Sequence, residues 1–232
     1  MKNYREYWNQ NVDKWADLYL QISHGHESLD APGWLSGLYQ ATIGRIEARL
    51  MRERYEITAR FIDQNVGPSC IFADVGCGTG IFTVAALKRG AQVLAIDFSE
   101  SALRITEENV KRHATGNVTY VQLDAQTGPI PRCDIALSMG VTPYVTDLES
   151  FLRNILASTR QLFFCQYTDP ERLSNRVRTI LPILNVRNLV FHSRAKVDGI
   201  YSKFGWVVKE RRNFATGFID TIVPARQLDE KR

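Results

Sequence analysis

Long apolar runs are missing from this chain of 232 residues. No stretch reaches the roughly 18 consecutive apolar residues that a membrane-spanning helix needs, so no membrane insertion is expected. The opening MKNYREYWNQ has no hydrophobic signal core, and a cytoplasmic location is expected by default. Cysteine is scarce: Cys70, Cys77, Cys133 and Cys165 lie in or beside strand-like runs and never in CxxC spacing. They read as reduced packing thiols, and no metal site is expected from them or from the sparse pair His24 and His26. A strong charge of one sign is also missing, because 29 basic residues face 25 acidic ones for a net charge of +4 spread along the chain. Without a long basic tail or an appended RNA-binding motif, no specific nucleic-acid partner is expected. What is present, 44% hydrophobic and 23% charged residues, suits one globular domain with a full core.

The chain is organised around CIFADVGCGTG, residues 70 to 80. An apolar run ends at Asp74 and Val75 and breaks into glycines 76, 78 and 80, the pattern of a buried strand turning into a helix across a ligand. Glycine is needed there because a backbone in close approach to a cofactor leaves no room for a side chain and often takes a positive φ. The spacing is GxGxG, and the third glycine of the dinucleotide fingerprint GxGxxG is replaced by Ile81, which weakens a nicotinamide or flavin reading. Asp97 ends the next apolar run about 20 residues downstream, where a carboxylate can accept both hydroxyl hydrogens of a ribose. Phe98 and Ala125 are expected to line an adenine pocket, with Asp124 accepting the adenine amino hydrogens.

Short apolar runs at 70–75, 92–97, 118–123, 134–139 and 161–167 alternate with helical spans near 80–89, 99–112 and 146–158. This alternation predicts an α/β fold, a mostly parallel sheet with helices on both faces. Ser99 is expected to cap one helix, and Thr146 with Glu149 to form a capping box on another. Ahead of this core, aromatic and aliphatic residues at helical spacing over 4–22 predict an amphipathic helix that either covers the pocket, with Tyr7 and Trp15 facing the cofactor, or simply docks on the body through its aromatics. A loop over 21–37 carries His24. A long helix follows over 38–64, where Arg45, Arg49 and Arg52 share a face that either holds an anionic substrate group or is simply solvated. Beyond the fifth strand, a kinked helical excursion over 171–187 is expected to shape the acceptor pocket. A strand-like start at 189, a helix from Ser193 closed at Gly205, and an antiparallel hairpin over 206–224 complete the chain, with a frayed tail QLDEKR.

These motifs resemble the class I S-adenosylmethionine-dependent methyltransferases, closely over 70–168. The C-terminal phrases FHS and FGWVVKERRNFATGF loosely resemble the magnesium-protoporphyrin O-methyltransferase-like group within the small-molecule branch. The resemblance implies a Rossmann-like seven-stranded sheet with an antiparallel last strand and an N-terminal helical cover. It implies S-adenosyl-L-methionine as cofactor, held by Asp74, Gly76, Cys77, Gly78, Gly80, Asp97, Phe98, Asp124 and Ala125. The edge of the fourth strand, Ser138 and Met139 with Gly140 and Thr142, would lie between donor and acceptor. His192, Tyr144 and His24 are the expected proton-handling residues. The VTPY sequence at 141–144 differs from the acidic or asparagine residue, two prolines and tyrosine of DNA base-amino methyltransferases, which argues against that substrate. The expectation is a single domain, as monomer or homodimer: 1–66 as cover and first helix, 67–168 as cofactor half, 169–232 as acceptor side. It transfers a methyl group to an oxygen, or less readily a nitrogen, of a small metabolite. An RNA or protein methyltransferase and a non-catalytic cofactor-binding partner are the alternatives.

Overall fold

The computed structural model describes residues 45–172, 175–176, 189–214 and 216–229. Helix α1 (Arg45–Asn65) leads into β1 (Ile71–Val75), α2 (Ile81–Lys88), β2 (Gln92–Asp97), α3 (Glu100–His113), β3 (Val118–Gln122) and β4 (Cys133–Ser138). A 3₁₀ turn over Thr142–Tyr144 precedes α4 (Leu148–Leu156) and β5 (Thr159–Thr168). After these come α5 (Arg194–Lys203), β6 (Trp206–Phe214), β7 (Gly217–Pro224) and a short α6 (Arg226–Asp229).

The seven strands form one sheet in the order β3-β2-β1-β4-β5-β7-β6. The first five are mutually parallel, and β7 runs antiparallel to both β5 and β6. The strand order reverses between β1 and β4, the topological switch point where open α/β sheets hold ligands beyond their carboxyl ends. Two-residue periodicity divides the strands between two cores. Ala73, Ala136, Phe163 and Tyr167 pack toward Phe151, Leu152 and Ile155 of α4 and Val197 and Tyr201 of α5. Phe72, Ile135, Leu137 and Phe164 pack toward Phe61 and Ile62 of α1 and Phe82 and Ala86 of α2. On that second face Phe61 and Phe164 stack with centroids 4.1 Å apart, which fixes α1 against β5. Offset aromatic pairs of this kind contribute about 0.5–1.5 kcal/mol beyond area burial.

The β6–β7 hairpin is locked by charge as well as by its ladder. The Arg211 Nε and Nη2 donate to the two oxygens of Asp220 at 2.7 and 2.8 Å, and the guanidinium also reaches Asp198 of α5. It lies 4.6 Å from the Phe218 ring centroid, so hairpin and helix share one cation.

Three expectations are corrected. The N-cap of α4 is Asp147, whose side chain accepts from the Ser150 N–H. Thr146 instead donates to Gln126 Oε1 and Glu149 pairs with Lys203, so the capping box does not form. The segment from 189 is not a strand: the Val190 N–H goes to the Pro143 carbonyl and the His192 N–H to Thr168, which pins it across the end of β5 instead of in a ladder. The tail is helical over Arg226–Asp229, with Gln227 Nε2 donating to the Arg160 carbonyl at 3.3 Å.

Candidate functional site

The glycine turn leaves β1 at the switch point. Gly76, Gly78 and Gly80 all have positive φ, at 76°, 55° and 76°. A Cβ at Gly76 would stand 2.2 Å from Val141 Cγ2, and one at Gly80 would stand 2.7 Å from Thr106 Cγ2. Gly78 differs, since the nearest protein atom to its Cβ position is 3.9 Å away, so the space above it is open to a ligand. The N–H groups of Gly76 and Cys77 both donate to the Ile96 carbonyl, which ties the turn to β2. Thr106 Oγ1 donates to the Gly78 carbonyl at 3.1 Å and Asn109 Nδ2 to the Thr79 carbonyl at 2.8 Å, so α3 supports the turn from behind. The N-terminus of α2 has no side-chain cap, which leaves its positive end available to an anionic group.

Two buried carboxyls flank this turn. Asp74 is 2% exposed and accepts from Thr83 Oγ1 at 2.8 Å. Burial, with the charge of Asp97 adding to it, pushes its pKa up to about 7. Asp97 accepts from the Gly78 N–H at 3.1 Å on one oxygen and from the Ser99 N–H at 2.9 Å on the other. Burial outweighs these bonds and lifts it to about 6. Cys77 is buried beside them, and its thiol is held well above the usual range by burial. Phe98 follows at the tip of β2, half-buried. At the tip of β3, Asp124 Oδ1 accepts from the Gln126 N–H, while Ala125 is buried and its carbonyl accepts from Asn154.

The edge of β4 adjoins this turn through Val141. Ser138 is buried in register with Cys165, and Met139 is buried on the face toward α1. Gly140 has φ 76°, and a Cβ there would come within 2.8 Å of Arg54 Nη1. Arg54 reaches this edge from α1, and burial lowers its pKa to about 10, with the Tyr144 side chain acting in the opposite sense. The 3₁₀ turn then carries Tyr144, half-buried, and Thr142, whose hydroxyl donates to the Gln166 carbonyl at 2.6 Å. His192 is 1% exposed and its Nε2 lies 3.0 Å from the Thr142 carbonyl. A carbonyl only accepts, so Nε2 carries the hydrogen and Nδ1 holds a buried lone pair without a partner among the described residues. Burial keeps this imidazole below its ordinary pKa, hence neutral near pH 7.

The structure thus brings Asp74, Gly76, Cys77, Gly78, Gly80, Asp97 and Phe98 together around one turn. It sets Asp124 and Ala125 on the neighbouring strand tip and Ser138, Met139, Tyr144 and His192 at the β4 and β5 edge. Tyr7, Trp15 and His24 lie outside the described residues, as does most of the excursion after β5. Of the arginines singled out on α1, Arg49 and Arg52 are exposed, and the one at the site is Arg54. Sequence reasoning missed Arg54, Thr106 and Asn109. The last two carry a legible signal, polar residues three apart on the otherwise apolar face of an amphipathic helix. Among the described residues no group of three His, Cys, Asp or Glu side chains is placed to hold a metal ion, and no helix is long and apolar enough to cross a membrane.

Comparison with known proteins agrees with this geometry. Residues 72–161 match the methyltransferase domain family. The chain is 33% identical over 123 residues to the ribosomal protein L11 methyltransferase of Caldanaerobacter subterraneus, a match spanning 49% of this chain and 39% of that protein. It is 30% identical over 112 residues to the ubiquinone biosynthesis O-methyltransferase of Leptothrix cholodnii, covering 46% and 48% of the two chains. The matches therefore span less than half the length of these relatives. Among solved structures, magnesium protoporphyrin IX methyltransferase from Synechocystis PCC 6803 with bound S-adenosylhomocysteine superposes with a TM-score of 0.69 at 17% identity, over 94% of this chain and 96% of that one. The strand order and the glycine turn are those of a Rossmann-like methyltransferase fold, and over residues 72–161 the chain matches the methyltransferase domain family.

Proposed function

We propose that this protein transfers a methyl group from S-adenosylmethionine to an oxygen, or less readily a nitrogen, of a small metabolite. The observation that carries the reading is Asp97, whose carboxylate stands at the tip of β2 and accepts from the Gly78 N–H at 3.1 Å. It joins the ribose-binding acid to the one glycine of the turn with open space above it. The residues present fit the cofactor. Gly76 to Gly80 and the uncapped start of α2 would receive the methionine portion, Asp97 the ribose, and Phe98, Asp124 and Ala125 the adenine. When bound, the cofactor supplies a sulfonium that already carries an activated methyl group, so the protein must orient the acceptor and exclude water. Ser138, Met139 and Gly140 form the floor on which the acceptor is oriented. For a hydroxyl or ammonium acceptor, His192, Tyr144 and His24 are the proton-relay candidates; the neutral His192 has a lone pair on Nδ1 with no partner among the described residues.

Similarity over nearly the full length to a methyltransferase named for a small molecule supports the metabolite reading. The ribosomal protein L11 methyltransferases among the relatives support a second one, methylation of a protein. Calorimetry with S-adenosylhomocysteine tests the first step: saturable binding is expected, with a loss of about 100-fold or more in Asp97→Ala, the scale of two charge-assisted hydrogen bonds. Absence of binding at high micromolar ligand overturns the proposal. Incubating the protein with a labelled methyl donor and cell extract then separates the readings by whether label enters small molecules or protein.

A further inference from the structure

Among the described residues, no buried side-chain polar atom lacks a hydrogen-bond partner at the amino end of the sheet or along the β6–β7 hairpin. Gln166 Oε1 and His192 Nδ1 do lack one among those residues, and both belong to the carboxyl end of β5, beside the β4 edge. Gln166 is 4% exposed. It lies two residues beyond Phe164, so its side chain leaves β5 on the same face, toward α1. The register that pairs Ser138 with Cys165 sets Met139 beside it on one side, and Ile219 of β7 stands opposite it on the other. From Met139 the chain continues through Gly140 to Val141, which packs on Gly76 of the cofactor turn. Gln166 is thus one strand away from the proposed acceptor floor.

The fold satisfies the Gln166 carbonyl and leaves the side-chain oxygen open. Thr142 Oγ1 donates to that carbonyl at 2.6 Å. Thr58, one turn from Phe61 on α1 and buried, gives its hydroxyl hydrogen to the Arg54 carbonyl at 2.7 Å. His192 directs its ring hydrogen to the Thr142 carbonyl and keeps the Nδ1 lone pair. A buried acceptor with no donor destabilises a fold, and a methionine of the same length would fill the place of Gln166 without that penalty. An amide oxygen and an imidazole lone pair only accept, so the group that completes them must bring hydrogen. A hydroxyl or N–H group does so, whereas an ionised carboxylate adds lone pairs that both oppose. We propose that Gln166 is a specificity-determining residue of the acceptor pocket and that the methyl acceptor binds with a hydroxyl or N–H group donating to Gln166 Oε1. This rests on the methyltransferase reading and adds the hydrogen-bonding character of the acceptor. A site built to receive a substrate hydrogen rejects analogues that lack it, because its own acceptor is then left unpaired.

The test uses the full chain and its Gln166→Met and Gln166→Glu variants, the first removing the acceptor oxygen at constant length and the second keeping one. Wild-type binding of S-adenosylhomocysteine and labelling of cell extract by a labelled methyl donor come first, and failure of either overturns the methyltransferase reading instead of this one. Gln166→Met should bind S-adenosylhomocysteine as the wild type does and melt at or above the wild-type temperature, since no hydrogen bond of the folded chain is lost. A weaker affinity or a lower melting temperature marks a structural side chain and overturns the proposal. Gln166→Met should then need about tenfold more extract for half-maximal labelling, the scale of one neutral hydrogen bond, while Gln166→Glu stays within about threefold of wild type. Wild-type labelling by Gln166→Met overturns the proposal. So does labelling by Gln166→Glu that is no better than by Gln166→Met, because an anionic acceptor would be repelled by the new carboxylate and a hydrogen-bond donor would not.

Discussion

Replacing Asp74 with asparagine should stabilise the ligand-free protein. The carboxyl sits at the tip of β1 with Thr83 as hydrogen-bond donor, Asp97 as the neighbouring charge and the neutral thiol of Cys77 beside it. Its pKa rises from an ordinary 3.8 to about 7 in the fold. Below pH 4 the folded and unfolded chains both hold the proton, and the group contributes nothing to the pH dependence. Between pH 4 and 7 the unfolded chain releases a proton that the folded chain keeps, so wild-type stability falls as pH rises, and above pH 7 the loss is complete. The span from 3.8 to about 7 sets a ceiling of about 4 kcal/mol. If relaxation leaves about half of that, asparagine, which keeps an acceptor for Thr83, adds about 2 kcal/mol at pH 8. In a domain of this size that is a rise of about 4–8 °C in Tm. Thermal unfolding of the ligand-free wild type and variant, followed by circular dichroism at pH 5 and pH 8, is the assay. The gain at pH 8 should be about double that at pH 5. A variant less stable than wild type at pH 8, or a gain equal at both pH values, refutes the reasoning.

The glycines separate by what they face. Gly80→Ala meets Thr106 and keeps an unfavourable φ of 76°, so it should lose about 2–4 kcal/mol of stability in chemical denaturation. Gly78→Ala has open space at its Cβ and should cost only about 1 kcal/mol, yet weaken S-adenosylhomocysteine binding tenfold or more by calorimetry. Arg211→Ala strands the fully buried Asp220 and should destabilise by about 3–5 kcal/mol in the same denaturation assay. Burial pushes the thiols of Cys70 and Cys133 up to about 11 and raises Cys77 and Cys165 as well, so iodoacetamide at pH 8 should label none of them within the time that labels the unfolded chain fully, as read by mass spectrometry.

The parts of this site legible in the sequence are those where backbone geometry dictates residue type. The glycines at 76, 78 and 80 announce a turn with positive φ, and Asp97 is readable because the β2 run ends on it. Strand limits follow from apolar runs buried on both faces, so 92–97 is found at its true ends. The α4 cap was misjudged by one position because Thr146 and Asp147 are both good caps. Tertiary contact decided between them, with Gln126 engaging Thr146 and leaving Asp147 to receive the Ser150 N–H. Residues 189–192 read as a strand because LVFH is apolar, but β5, whose end they cross, is already paired with β4 and β7, and their N–H groups go to Pro143 and Thr168 instead. Arg54 was not legible at all. On a helical wheel it is one arginine among several, and its place at Gly140 follows only from the Phe61–Phe164 stack, a contact between residues about 100 positions apart that periodicity does not encode.

The two acids beside the glycine turn can be tested by their effect on donor and product. Both S-adenosylmethionine and S-adenosylhomocysteine carry a cationic ammonium in the methionine portion, and only the donor carries the sulfonium. Asp74 and Asp97 are held above the usual carboxylate range by burial, so a cation arriving at the turn lets them ionise, and affinity for either ligand should rise between pH 5.5 and pH 8. Asp74→Asn should therefore weaken both ligands together and flatten that rise for its share. Calorimetry with both ligands at both pH values should find the slope reduced in Asp74→Asn for donor and product alike, since the ammonium is common to the two. A slope unchanged in Asp74→Asn would place that ammonium away from this acid and leave the pH dependence to Asp97.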